Sequence, residues 1–311
     1  MYARGLTHVV PLFVVCIPTA FGQLPKRVEK CLPYPTLAQE VQEMQQADPA
    51  PPRVRVRVIR VEFDSKDAIP ANAQEEISAE LRSHVFERDA DTAYLDDLAK
   101  EMAEVSARGA LQNHGYIRAT AAAKLMALQT DGAEISVAAV VSAAPGLQYR
   151  TGDIRIESTD GGFPPKMPQE NLRALIPLQR GELFDVERVR AGLRNLTLAY
   201  VREGYVDMTA EPDLQIDEAH ETVDMVLKID PQAQYRVGGI EFLGVNMATR
   251  EKLMKSLPKP GEVFDGTRLE EFFTVNRAIL PSDASRDDVN VKRDPTSKTV
   301  AILFDFRTCP R

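Results

Sequence analysis

The residues of this 311-residue chain that could do chemistry are few and dispersed. Its four histidines, His8, His84, His114 and His220, belong to no metal-binding or triad motif. Gly152 to Gly162 is a glycine-containing stretch, but no Lys-Ser or Lys-Thr follows it, so it is not a phosphate cradle. Asp283, Asp287 and Asp288 gather carboxylates without the spacing of a calcium loop and read as a solvated acidic loop. No Cys/His cluster has ligand spacing, Trp is absent, and aromatic residues make up only 6%. The expectation is a protein with no catalytic centre, no metal and no cofactor.

Charge points the same way. A net charge of -8 opposes phosphate backbones, so nucleic acid is not an expected partner. One local exception is Arg53, Arg55, Arg57 and Arg60, which alternate with Val54, Val56 and Val58 as a strand with a basic outer face. A solvated strand face is the main reading there, and a contact with an anionic lipid or partner is the alternative.

The N-terminal region reads as a targeting segment. Arg4 precedes a short apolar run, and Ala20-Phe21-Gly22 offers small residues to a signal peptidase, so the mature chain is expected to begin near Gln23. The run is too short for a membrane span and is interrupted by Pro11 and Pro18; an uncleaved anchor is the alternative. Val15 before Cys16 is a poor fit to a lipoprotein processing site. The mature chain is expected not to span a membrane. Residues 23–52, rich in proline, read as an extended tether with room for a short helix at 37–44. Cys31 and Cys309 then remain as an even pair. In an oxidising compartment they are candidates for a disulfide, with free thiols or an intermolecular bridge as alternatives.

Further along, the chain repeats itself. Tyr149-Arg150-Thr151-Gly152-Asp153-Ile154 returns as Tyr235-Arg236-Val237-Gly238-Gly239-Ile240, 86 residues later. Gly181-Glu182-Leu183-Phe184-Asp185 returns as Gly261-Glu262-Val263-Phe264-Asp265, 80 residues later. Matched blocks in the same order mark a duplication. The first block opens a strand, with Ile154 and Ile156 on one face. Pro177 and Pro258 end a first helix, Gly181 and Gly261 permit a turn between helices, and Asp185 and Asp265 are placed to cap the second helix. Val186, Val189, Leu193, Leu196 and Tyr200 form its buried stripe, and Gly204 stops it. Two strands follow, the first expected from Val206 to Glu211 and the second carrying Val223, Met225, Leu227 and Ile229. In the last repeat the second strand holds Val300, Ile302, Phe304 and Phe306.

The unit is therefore strand, helix, helix, strand, strand. Residues 53–144 fit the same order, with helices at 71–83 and 91–113, Gly115-Tyr116 matching Gly204-Tyr205, and a hairpin turning at Asp131-Gly132. The last repeat has Leu280-Pro281-Ser282-Asp283 in place of Gly-Tyr. The expected domains are 53–144, 145–231 and 232–308, each α+β with a three-stranded sheet covered by two helices.

These blocks resemble polypeptide-transport-associated (POTRA) domains of the outer-membrane barrel-assembly and translocation superfamily. The barrel that follows the repeats in that superfamily is not in this sequence. The resemblance implies a periplasmic scaffold that binds unfolded client polypeptides, an outer-membrane barrel protein or assembly factors. A division-type or envelope-structural module with an uncleaved anchor is the alternative. Binding would proceed by addition of an extended peptide to a sheet edge. The edge candidates are Tyr205, Val206, Met208 and Ala210 in the second repeat and Val289 and Val291 in the third.

Overall fold

The computed structural model describes residues 52–64, 69–89, 95–159, 162–164 and 167–307. The targeting segment, nearly all of the tether, Cys31 and Cys309 lie outside the described residues.

Three small sheets follow one another along the chain. The first domain runs β1 (Arg53–Phe63), α1 (Ala71–Ser83), β2 (Val85–Asp89), α2 (Leu95–Met102), a π-helical turn (Ala103–Ala107), α3 (Arg108–Asn113), β3 (Thr120–Asp131) and β4 (Glu134–Ala144). Its sheet order is β2-β1-β4-β3, with β1 parallel to β4 and both outer pairs antiparallel. Alternation in β1 sends Val56 and Val58 inward against Ile77, Leu81, Leu98 and Met102 from the helices. The expectation of three strands is corrected here. Val85–Asp89 adds a fourth, pairing from Arg53↔Asp89 to Arg57↔Val85. The second helix is also not continuous, because a π turn interrupts it.

The second domain holds β5 (Arg150–Ser158), α4 (Gln169–Ala174), α5 (Val186–Arg202), β6 (Thr209–Asp217) and β7 (Thr222–Asp230), in sheet order β5-β7-β6. Asp185 caps α5 by accepting from the Arg188 amide at 3.0 Å. Val186, Val189, Leu196 and Tyr200 then face Val223, Met225, Leu227 and Ile229 of the central strand β7. Burial pushes the Tyr200 phenol up to about 12, and among the described residues its hydroxyl has no hydrogen-bond partner. An unfolded tyrosine ionises near 10.0, so this group favours the folded state below that pH and withdraws its contribution as pH climbs toward about 12. Tyr200→Phe is expected to flatten part of the alkaline loss of stability in a pH series of urea melts. At neutral pH it is expected to leave stability unchanged or raise it by up to about 1 kcal/mol.

The third domain holds β8 (Arg236–Leu243), α6 (Met247–Met254), α7 (Arg268–Val275), β9 (Val289–Asp294) and β10 (Thr299–Asp305), in order β8-β10-β9. Its core is a phenylalanine stack. Phe304 lies 4.6 Å from Phe242 and 4.5 Å from Phe272, centroid to centroid, with Phe306 beside them. The expected cap at Asp265 is corrected. Its carboxylate instead accepts from the Thr267 amide at 3.0 Å, and α7 starts only at Arg268. Gly266 stands where Val186 opens α5; its amide donates to Val201 O of the second domain at 3.3 Å, and a Cβ there would lie 2.6 Å from a Val201 methyl.

Candidate functional site

Every residue of the repeated blocks has a position in the geometry. Gly152 and Gly238 sit where the register of the first strand slips, at a β-bulge. A Cβ on Gly152 would fall 2.0 Å from the Asp224 carboxylate, and that carboxylate accepts from the Asp153 amide at 2.6 Å. The Gly-Glu-x-Phe-Asp block is more than the expected turn between helices. It lies antiparallel along the outer edge of the first strand, bridging Arg150↔Leu183 and Arg236↔Val263. The Thr151 amide donates to Glu182 O at 2.8 Å and the Phe184 amide to Tyr149 O at 3.0 Å. The same bonds recur from Val237 to Glu262 O at 2.9 Å and from Phe264 to Tyr235 O at 3.0 Å. The motif arginines hold this strap, because Arg150 and Arg236 donate to the carbonyls of Gly181 and Gly261, each at 2.9 Å. Strand β2 occupies the same place in the first domain, between its helices and against the first strand.

The consequence is an asymmetry of edges. The first strand of each domain is covered where it starts, by a strap or by β2. Further along β5, Gln169 Nε2 donates to Ile156 O at 2.8 Å and occupies one more edge carbonyl. β2, which becomes the outer strand of sheet one, is five residues long and carries Glu87, Arg88 and Asp89, features that discourage further pairing. The opposite edge of each sheet is the first strand of the hairpin: β3, β6 or β9.

These three edges differ. β6 contains Pro212, paired in register with Leu227. A proline in a strand must turn its nitrogen to the free side, so this edge lacks one donor. β9 has no proline within Val289–Asp294 and borders an open groove of about 450 Å³ lined by Asp207, Tyr235, Asn290, Lys292 and Arg293 among others. β3 is twelve residues long, has no proline, and exposes Met126 and Leu128.

The predicted edge residues divide accordingly. Ala210 lies on β6, and Val289 and Val291 lie on β9, where Val291 is buried opposite Ile302. Tyr205, Val206 and Met208 are not in a strand, a correction to the expected start at Val206, since β6 begins at Thr209. They form the turn that carries the chain out of α5. Tyr205 packs edge-on against Tyr200 at 5.9 Å, while Val206 leaves its own domain and packs against the core of the third.

That turn is one half of a joint used twice, which sequence reasoning took only for a helix stop. Gly115 O accepts from the Tyr149 amide at 2.8 Å, and Gly204 O accepts from the Tyr235 amide at 2.9 Å. The preceding glutamines repeat as well: Gln148 donates to His114 O at 3.0 Å and Gln234 to Glu203 O at 2.8 Å. Two residues past each glycine an apolar side chain enters the next domain: Ile117 in the core of the second, Val206 against that of the third. The signal was present in the sequence, since Gln precedes Tyr-Arg both times and follows a Gly-Tyr in the domain before.

The basic stripe of β1 is internally matched. Arg53 pairs with Asp89, Arg55 with Glu87, Arg57 with Glu134 and Arg60 with Glu62, at 2.9 to 3.7 Å. These exposed pairs add little stability, but they leave no uncompensated basic strip for an anionic partner. Among the described residues no group of three or more His, Cys, Asp or Glu could hold a metal, and no helix is long and apolar enough to cross a membrane.

Comparison with known proteins agrees with this geometry. Residues 149–232 match the model of the POTRA family, described as a surface antigen variable number repeat. A Treponema pallidum protein named as an outer membrane protein assembly factor is 26% identical over 160 residues, half of this chain but only 18% of that relative's length. The crystal structure of Haemophilus influenzae BamA POTRA domains 3–5 superposes with a TM-score of 0.57 at 16% identity, covering 81% of this chain and 96% of that one. That likeness is one of fold: three tandem domains of the same build.

Proposed function

We propose that this chain, a tandem array of POTRA-type domains, works as a periplasmic scaffold in outer-membrane protein assembly, holding extended segments of unfolded clients or assembly partners on its hairpin edges. The observation that supports this reading most is the asymmetry of the sheets. In each domain the first-strand edge is strapped or paired, and the hairpin edge is left with backbone donors and acceptors facing outward. An extended peptide can join such an edge through main-chain hydrogen bonds with little demand on its sequence. Weak edges in series give avidity for a long client. The name of the Treponema relative, an assembly factor, fits the same role.

Photocrosslinking tests it. A photoreactive residue is placed at Lys292 on β9, at Lys124 on β3, or at Glu157 on the opposite edge strand β5. Urea-diluted outer-membrane barrel protein is added as the client. Adducts are expected from positions 292 and 124 and not from 157; equal labelling at all three, or none, contradicts edge-specific binding. Pro212→Val restores an N–H to the free side of β6. Since one hydrogen bond is worth about 0.5–1.5 kcal/mol, client capture from a probe at Asp213 is expected to rise roughly 2- to 10-fold.

A further inference from the structure

The two joints share a backbone but carry opposite charge. Three residues past the joint glycine stands Arg118 in the first and Asp207 in the second. Arg118 forms an ion pair with Glu218, and Asp207 forms one with Arg293. Both partners lie near the closed end of the next domain's hairpin, Glu218 in the turn and Arg293 in the last residues of β9. Glu218 directly follows Asp217, and Arg293 directly precedes Asp294. Asp217 and Asp294 are equivalent: Asp217 accepts from the amides of Ala219 and His220 at 2.9 and 3.1 Å, and Asp294 from those of Thr296 and Ser297 at 2.9 and 3.3 Å.

Both pairs stand beside the joint tyrosine. Arg118, Glu218 and Glu221 surround Tyr149, and Asp207, Arg293 and Asp294 surround Tyr235. Asp294 is engaged by the amides of its own turn and by the Ser297 hydroxyl at 2.7 Å. Exchanging the partners would set Arg118 against Arg293 and Asp207 against Glu218, two like-charge encounters. The tyrosine and glutamine bonds recur at both joints and cannot tell one neighbour from the other, whereas the Glu187 amide bond to Asn113 Oδ1 at 3.1 Å belongs to the first joint and the Gly266 amide bond to Val201 O at 3.3 Å to the second. Charge adds rejection to that local fit, because a like pair at a docking surface repels the wrong partner.

We propose that the inverted ion pairs are a polarity key: each joint admits its own neighbour and repels the hairpin end that belongs to the other. A key differs from glue in what its variants do. Neutralising one member removes attraction and leaves the shared backbone joint, whereas reversing it adds repulsion.

The test uses the full chain with one spin label on the second domain and one on the third, and reads the distance distribution by pulsed electron paramagnetic resonance. Asp207→Asn is expected to keep the single narrow distance. Asp207→Arg and Arg293→Asp are each expected to shift most molecules to longer, broader distances, and the double reversal Asp207→Arg/Arg293→Asp to restore the narrow one. Reversal indistinguishable from neutralisation, or a double variant that fails to recover, overturns the proposal. Arg118→Gln, Arg118→Glu and Arg118→Glu/Glu218→Arg repeat the comparison at the first joint, with the same expectation and the same refutation, should a variant of the second joint not fold.

Discussion

Gly204→Val is expected to uncouple the second domain from the third. Gly204 has φ of +84°, a conformation that a β-branched residue adopts only with strain. A Cβ there would also lie 2.8 Å from Tyr235 O and 2.8 Å from a Val263 methyl, both in the next domain. The carbonyl of this same residue receives the Tyr235 amide, so relieving the clash means giving up the joint's central hydrogen bond. Strain of about 1–3 kcal/mol and a lost hydrogen bond of about 1 kcal/mol act together on one small interface. In urea unfolding followed by domain-specific probes, the transitions of domains two and three are expected to separate where the parent chain shows them joined. Gly115→Val is expected to do the same at the first joint, because its Cβ would meet Tyr149 O at 2.8 Å. Gly181→Ala and Gly261→Ala are the controls. Both positions have positive φ but nothing within 4 Å of an added Cβ. They are expected to lose only about 1 kcal/mol and to leave the domains coupled.

Phe304→Ala is expected to have the largest effect on any single domain. The ring is fully buried on the central strand β10, between Phe242 and Phe272, and contributes to the one core the third domain has. Phenylalanine truncation in a packed core costs about 3–5 kcal/mol, against a total of about 5–15 kcal/mol for a domain. Thermal melts are expected to show the third domain unfolding well before the other two. Function should follow structure. β9 is aligned by β10, so crosslinking of clients from position 292 is expected to fall with the third domain's fold, while crosslinking from position 124 on β3 persists. Joint loss of both signals would mean that the edges do not act as separate sites.

The duplication was legible because its residues are each fixed by backbone geometry. A bulge needs Gly152 and Gly238 where the strand passes a neighbour, and the strap needs Gly181 and Gly261 at positive φ. Glycine suits each of these positions, for space at the bulge and for backbone conformation at the strap, and so returns as a recognisable letter. The strap itself was not legible. It pairs through a few backbone bonds over Leu183 or Val263, too short for alternation to declare a strand, so the same letters read as a turn. Val85–Asp89 failed for a similar reason: five residues between helices, with only Phe86 turned toward the core, give no clear period of two. The late start of β6 has a different cause. Tyr205, Val206 and Met208 are apolar and β-prone, but the chain uses them to close the helix and plug the next domain. A local reading assigns them to the strand that follows. At Asp265 the local capping signal meets a glycine: Gly266, a poor helix former, bonds to Val201 of the second domain, and the helix begins only at Arg268.

Hydrogen exchange across the whole chain, with and without an unfolded outer-membrane barrel protein, tests the scaffold account most directly. The account predicts that the client slows amide exchange in the hairpin strands β3 and β9 and leaves the strapped strands β5 and β8 unchanged; slowing confined to β5 and β8, or none in any hairpin strand at client concentrations that support barrel assembly, would contradict it.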